Sequence, residues 1–450
     1  MSNFRPINRD TGFLLPPSVD EWLPQRHLAR FVVEVVDRLD LSELEKAYRG
    51  SGSASYHPAM LLSLLIYGYA TKVFSSRALE RASYDSVAFR FIAGNEHPDH
   101  DTIAAFRKRF LAHIERLFVE VLKLARAMGM LKLGTVALDG TKVHANASRH
   151  SALSYGHAKK IEKRLKKEVK QLLRLAEQAD AADIPDGMSI PEELERRELR
   201  LAAIAQAQAK IEARVQGREQ AAYEAKLAAR EERQKRTGKK PPGRPPQPPT
   251  GGVEAKEQIN LTDEDSRIMK VAGGGFDQSY NAQAVVATGS LLVLANEVTQ
   301  ATHDHGQLVP MIRKVKELPK QLGRIRRLLA DNGYFSHANV ERCAAARIEP
   351  LIALGRERHH PGWRRRFAPA PAAPAANATP LERMAHRLKT PAGRKLYSLR
   401  KRTPEPVFGI IKSVMGFRQF QLRGLRNVKG EWNLVTLSWN IKRMFALQPA

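Results

Sequence analysis

The chain has 450 residues, 74 of them Lys or Arg against 47 Asp or Glu, for a formal net charge of +27. Its one cysteine, Cys343, excludes a disulfide framework and a thiolate zinc finger, and no apolar run approaches the roughly 20 residues that span a bilayer. The cations are spread through segments that read as folded, so the composition points to a polyanionic partner, nucleic acid above all. MSNFRPINRDTGFLLPPSVDEW lacks the basic-then-apolar pattern of a signal peptide, and the expected compartment is a reducing cytoplasm.

Residues 1–130 read as a helical domain. In QRHLARFVVEVVDRLDLSELEKAY the apolar residues recur at three and four. Pro58 then opens PAMLLSLLIYGYA, apolar enough for a core helix, with proline suited to the first turn. After SSRALERASYDSVAFRFIAG and HPDHD, one long helix is expected from Thr102 to Met128 with Asp101 as its N-cap. Ile103, Phe106, Phe110, Ile114 and Leu117 form its inward stripe, which leaves Arg107, Lys108 and Arg109 largely outside. A helix, a tight connection and a basic second helix fit a helix-turn-helix reader of the major groove. They fit a plain bundle with a solvated basic face equally well.

GTVALDG reads as a short strand that ends at Asp139 in a turn. From 155 to 255 the composition shifts to Ala, Glu, Lys and Arg. Leu194, Leu201, Ile204, Ile211 and Val215 stand near heptad spacing, as in a helical hairpin or short coiled coil. EERQKRTGKKPPGRPPQPPTGG is expected to hold no helix and to form an extended linker. Within it Lys239, Lys240, Gly243, Arg244 and Pro245 resemble the Gly-Arg-Pro hooks that enter narrow minor grooves; a merely basic, proline-rich linker is the plainer reading.

Residues 276–354 read as α/β. FDQSYNAQAVVATGSLLVLANEVTQ gives two strands joined by a Thr-Gly-Ser turn. GQLVPMIRKVKEL is a helix, IRRLLADNGYF a strand ending on a carboxylate, SHANVERCAAAR a helix, and IEPLIAL a strand. With GTVALDG in front, the order is strand, strand, strand, helix, strand, helix, strand, which predicts a mixed sheet flanked by helices. Residues 356–380 are a low-complexity loop, and EPVFGIIKSVMGF and GEWNLVTLSWNIKRMF are closing helices.

Asp139 and Asp331 stand at predicted strand ends, where side chains of open α/β sheets face a ligand crevice. Taken singly, Asp-Gly and Asp-Asn-Gly are also good turn sequences. Glu405 falls in the first turn of a helix, where the dipole favours an acid in any case. Lys412 lies two turns further along the same face, about 10 Å away. His144 and the His303, Asp304, His305 cluster offer a histidine–carboxylate metal site as a minority reading, with Asp304 also suited to a supporting role. Asp265, Asp277 and Asp304 are the fallback carboxylates. Trp432 and Trp439, seven apart, share a helical face and read as core, base stacking being the other reading.

Together these residues resemble the DDE transposases of bacterial insertion sequences. The resemblance runs through PPSVDEWLP, YHPAMLLSLLIYGYA, ALDGTKVHANAS, DSRIMK, YNAQ, ADNGYF and EPVFGIIK, nearly the whole chain. It implies a ribonuclease-H-like catalytic domain over 131–154 and 256–450, preceded by the helical DNA-binding domain 1–130 and interrupted by the basic helical insert 155–255. It implies catalytic, metal-holding roles for Asp139, Asp331 and Glu405, with two Mg²⁺ ions, or Mn²⁺ in their place. The related signature is Tyr, two residues, Arg, three residues, Glu, six residues, Lys. Tyr397, Arg400, Glu405 and Lys412 meet its first and last spacings, but four residues separate Arg400 from Glu405, and Lys401 has the expected separation.

The implied partners are double-stranded DNA at the element's terminal inverted repeats and at the target. Tyr397, Arg400, Lys401 and Lys412 would lie near the backbone, and Arg107, Lys108, Arg109 and Arg244 elsewhere on the DNA. A homodimer would hold two ends together, in a bacterial, nucleoid-associated protein. A nuclease or recombinase of the same fold that cuts without joining, and a non-catalytic or decayed DNA-binding protein, are the alternatives.

Overall fold

The computed structural model describes residues 18–48, 55–148, 151–179, 190–271, 273–355 and 372–448. Pro16 and Pro17 of the opening motif, and residues 356–371 of the low-complexity loop, lie outside them. The chain forms two compact units, Met1–Asn146 with Met269–Ala450, and Ala147–Ile268.

The first unit begins with helices α1 (Val19–Trp22), α2 (Leu28–Val36), α3 (Ser42–Lys46), α4 (Pro58–Ala70), α5 (Ser76–Asp85) and α6 (Val87–Ile92). Leu61 to Ala70 of α4 are all buried, as its uniform apolarity predicts. The long helix expected from Thr102 is two helices, α7 (His100–Phe110) and α8 (Ile114–Ala127), with a 3₁₀ turn over Leu111–His113 between them. Its N-cap is Asp99 rather than Asp101, because the Asp99 carboxylate accepts the Thr102 N–H at 2.7 Å. Arg107 also departs from expectation. It is buried, donating to the Phe74 carbonyl at 3.0 Å and the Tyr69 hydroxyl at 3.4 Å, since α7 packs that face against α4 and α5. Lys108 and Arg109 are exposed, with Arg109 donating to the Ala47 carbonyl and lying over the Tyr48 and Phe110 rings. The first strand, β1 (Thr135–His144), comes next.

In the second unit β2 (Ala152–Ser154) pairs antiparallel with β3 (Gln258–Asn260), and the helices α9 (Tyr155–Ala179) and α10 (Ile190–Thr237) come between them in the chain. Ile204, Ala207, Ile211 and Val215 of α10 close on Ala158 and Leu165 of α9 and on Leu153 and Ile259. The three- and four-residue steps are those of one buried helical stripe, the predicted hairpin. One boundary is corrected: α10 continues through EERQKRT to Thr237, because Glu, Arg, Gln and Lys are good helix formers and proline begins only at Pro241.

The chain then supplies β4 (Arg267–Lys270), β5 (Phe276–Ala287), β6 (Val293–Thr299), α11 (Leu308–Glu317), β7 (Arg327–Ala330), α12 (His337–Ala345) and β8 (Glu349–Ile352). The sheet order is β4-β5-β1-β7-β8, with β6 also on β5. β5 runs antiparallel to both β1 and β6, while β1, β7 and β8 are mutually parallel. This is the mixed, ribonuclease-H-like α/β arrangement. Asp139 therefore lies inside β1 rather than at its end: β5 is long enough to carry the ladder from Val136↔Ala287 to His144↔Ser279.

Alternation along the strands gives the sheet two covered faces. On one, Ala137, Leu329 and Leu351 meet Leu388, Leu396, Tyr397 and Leu399 from helices α13 (Pro380–Lys389) and α14 (Pro391–Ser398) and the residue just after α14. After α15 (Pro404–Ser413), helix α16 (Leu425–Leu447) packs on β6, and Trp432 donates to the Gln283 carbonyl at 3.1 Å and Trp439 to the Leu291 carbonyl at 2.9 Å. Both indoles are core. α16 also packs on α2, α4 and α8, so the N-terminal helices and the sheet share one compact unit.

Candidate active site

Strand register brings the first two acids together. Ala137 stands opposite Leu329 in the parallel β1–β7 pair, so two residues further along each chain Asp139 and Asp331 arrive side by side. The Asp139 carboxylate accepts its neighbour Gly140 N–H at 2.8 Å. Asp331 caps the 3₁₀ turn Asn332–Tyr334 and accepts the Gly333 N–H at 2.9 Å. Glu405 comes from the first turn of α15, behind Pro404.

Arg400 ties these groups together. Its guanidinium lies 3.1 Å from Glu405 and 3.8 Å from Asp139, and its buried Nε has no hydrogen-bond partner. Lys401, the residue with the signature spacing, is exposed and lines a separate cleft with Lys389, Arg394 and Tyr397. The turn Leu399–Thr403 absorbs the extra residue and points Arg400 at the carboxylates. The Tyr397 hydroxyl donates to the carbonyl of Ala330, immediately before Asp331, at 3.3 Å. At the other end of α15, Lys412 donates to Thr141 Oγ1 at 2.6 Å and to the Lys142 carbonyl at 2.7 Å, fixing the helix along β1. Burial holds the Lys412 ammonium below its ordinary pKa, with Lys142 and Arg418 adding to the effect.

The electrostatics are those of crowded acids. Burial raises the Asp139 carboxyl to about 7; the Asp331 and Asp304 charges add to the rise, and the Gly140 N–H and Arg400 oppose it. Burial likewise raises Asp331, aided by Asp304 and Glu405 and opposed by the Gly333 N–H and Arg400.

Several participants carry no role that spacing or motif assigns. Asp304, a fallback carboxylate by sequence, accepts from the Asn281 and Gln283 amides at 2.7 and 2.8 Å, with Lys142 Nζ 3.6 Å away. The Tyr334 hydroxyl donates to Gln283 Oε1. A Cβ on Gly140 would sit 2.2 Å from Gln283 Nε2 and 2.7 Å from Asp304 Oδ1, so a larger residue here would have to displace these hydrogen-bonded side-chain ends. The signal in the sequence was two amides at alternate positions, Asn281 and Gln283, leading into the apolar half of the strand. Burial lowers the pKa of Lys142, and Asp304 partly restores it.

Other predicted residues belong to other elements. Arg107 belongs to the core, Lys108 and Arg109 to α7, and Arg244 and Asp265 to the second unit. His144 lies 3.2 Å from Asp277, and His303 and His305 are exposed. Among the described residues no three His, Cys, Asp or Glu side chains close on one point as a finished metal cage. The donor set at Asp139, Asp331 and Glu405 nonetheless fits a hard divalent cation. All its available donor atoms are carboxylate oxygens, and the burial and neighbouring acids that together raise Asp139 and Asp331 disfavour charge that such an ion would balance.

A ribonuclease-H-like sheet with one acid in β1, a second just beyond β7 and a third on a late helix is an arrangement found in enzymes that process nucleic acids. Two family models match the chain: a transposase domain (DUF772) over residues 17–109 and a transposase DDE domain over residues 253–441, together well over half of its length. The chain belongs to the DDE transposases of insertion sequences. Asp331 and Glu405 fall within the second match, and Asp139 lies between the two. No curated protein and no solved structure matches. No helix among the described residues is long and apolar enough to cross a membrane.

Proposed function

We propose that this transposase cuts DNA at the ends of its element and joins the freed 3′-hydroxyl to target DNA, with Asp139, Asp331 and Glu405 as its catalytic carboxylates. The observation that carries the reading is the β1–β7 register that sets Asp139 beside Asp331, with the Arg400 guanidinium 3.8 Å from Asp139 and 3.1 Å from Glu405. Asp139, Asp331 and Glu405 would hold two Mg²⁺ ions, or Mn²⁺ in their place, which would activate the attacking oxygen and stabilise the leaving one.

The chain's own residues do the positioning. Arg400 neutralises Asp139 and Glu405 in the free protein and turns to backbone phosphate when DNA enters. Lys412 holds α15 against β1 and offers its remaining N–H to a phosphate. Tyr397 sets the end of β7 and with it Asp331, and Lys401 contributes from the neighbouring cleft. Asp304, gripped by Asn281 and Gln283, fixes Lys142 and the close β1–β5 contact at Gly140. Residues 1–130 would recognise the terminal repeat, with Lys108 and Arg109 on its exposed basic face, and the insert 155–255 would add affinity. A homodimer would hold two ends for synapsis in a nucleoid-associated protein.

The test uses purified protein, a labelled duplex carrying the element's end, and a supercoiled target, with Mg²⁺ or EDTA. Metal-dependent nicking and covalent joining, both lost in Asp139→Asn, are expected. Nicking without joints would assign a nuclease, and salt-sensitive binding without cleavage in either condition would assign a DNA-binding protein.

A further inference from the structure

The proline-rich end of the insert is built rather than loose. Pro241, Pro242, Pro245, Pro246, Pro248 and Pro249 have no N–H, so this stretch cannot bond its own carbonyls as a helix or hairpin would. A single side chain does so instead. Arg230 of α10 donates from Nη2 to the carbonyls of Pro241 at 2.9 Å and Gly243 at 2.8 Å, and from Nη1 to those of Arg244 at 3.3 Å and Pro242 at 3.5 Å. Four successive carbonyls thus wrap one guanidinium.

The wrap has consequences for Arg244. Gly243 sits at φ +87°, a conformation that a side chain would strain, and reverses the chain just before it. Pro245 confines Arg244 to extended backbone, and Pro246 in turn stiffens Pro245. Arg244 is exposed, as are Lys239 and Lys240 before it. Lys226 and Arg233 of α10 line the same cleft, against one acid, Glu219.

We propose that this latched Gly-Arg-Pro turn is a DNA-binding site in its own right, which inserts Arg244 into the narrow minor groove of A/T-rich duplex. The narrow A/T groove concentrates negative potential and draws a single arginine. A backbone poor in N–H groups, with the carbonyls of residues 241–244 already satisfied by Arg230, can enter that groove with few unpaired polar atoms. Lys239 and Lys240 are placed to take the flanking phosphates. An acidic peptide would need only the charge and not the stiff, reversed backbone.

Anisotropy of the full-length protein on two labelled duplexes of equal length, one an A/T tract and one all G·C, at one salt concentration, tests this without any cleavage. Wild type is expected to prefer the A/T tract by roughly tenfold. Arg244→Ala removes that preference, and so does Arg230→Gln, which leaves Arg244 in place but releases the turn. Lys239→Ala with Lys240→Ala weakens both duplexes alike and lowers the salt dependence. Circular dichroism of each variant confirms that the helices remain. Equal wild-type affinity for the two duplexes, an unchanged preference in Arg244→Ala, or displacement by an acidic peptide in place of a minor-groove drug would overturn the proposal. Asp139→Asn is expected to keep the full A/T preference, so failure here and failure of the cleavage reading are separate results.

Discussion

Two carboxylates in the first unit, Glu431 buried and Asp139 half-buried, have opposite surroundings. Glu431 of α16 is fully buried and accepts the Tyr69 hydroxyl at 2.7 Å, the Gln421 N–H at 3.0 and 3.1 Å, and the Leu422 N–H at 3.0 Å. Burial raises its pKa, but these donors and the nearby Arg107 all oppose the rise. Asp139 has one N–H from its own neighbour, a guanidinium at 3.8 Å, and other acids around it. The first carboxylate has its charge answered by the protein and serves as a joint. It ties α4 and α7 to the segment that runs beside the end of β1, where Phe420 N–H donates to the His144 carbonyl. The second is left short of donors, and that shortage is what a bound cation can fill.

The largest expected effect breaks the comparison on the Asp139 side. Asp139→Asn should lower metal-dependent nicking by roughly a thousandfold or more while urea unfolding stays near wild type. If binding and folding are lost as well, Asp139 is a joint like Glu431. On the other side, Glu431→Ala strands the Gln421 and Leu422 N–H groups, the Tyr69 hydroxyl and Arg107. The loss should be about 3–5 kcal/mol of stability in urea. Tyr69→Phe, which removes a single donor to Glu431, should cost about 1 kcal/mol in the same measurement.

The pH dependence sharpens the contrast. A folded-state value of about 7, against an ordinary 3.8, means that the native protein keeps a proton which the unfolded chain releases. Stability in EDTA should therefore fall as pH rises from about 4 to about 7, by at most about 1.4 kcal/mol per unit for this group, and then level off. Asp139→Asn should flatten that slope. Mg²⁺ competes with the same proton, so its thermal shift should be greater at pH 8 than at pH 6. The smallest expected effect is Lys401→Ala: this exposed side chain should change stability by less than about 0.5 kcal/mol, where Arg400→Ala should impair cleavage severely. Equal loss of activity in the two variants would return the signature role to Lys401.

Much of this was legible one residue at a time. Apolar and β-branched runs marked β1, β5, β6, β7 and β8 in the right order, three- and four-residue spacing marked α2, uniform apolarity marked α4, and near-heptad spacing marked α10. What local pattern missed came from neighbours distant in sequence. Asp-Gly at 139–140 reads as a turn, yet the twelve-residue partner β5 carries the strand past it. Arg107 reads as solvated, yet Tyr69, Phe74 and Glu431, far away along the chain, make it a core residue. EERQKRT beside a proline run reads as loop, yet it continues α10.

By itself, the sequence determined the fold class and the basic character, because hydrophobic period and charge are local properties that survive in any context; the three candidate acids were marked out by the family resemblance rather than by local pattern. Tertiary structure alone decided which cation faces the acids, that Asn281, Gln283 and Asp304 brace the strand behind them, and that Arg230 latches the proline turn. Each of these is a contact set by strand register or helix packing between residues that no spacing rule connects.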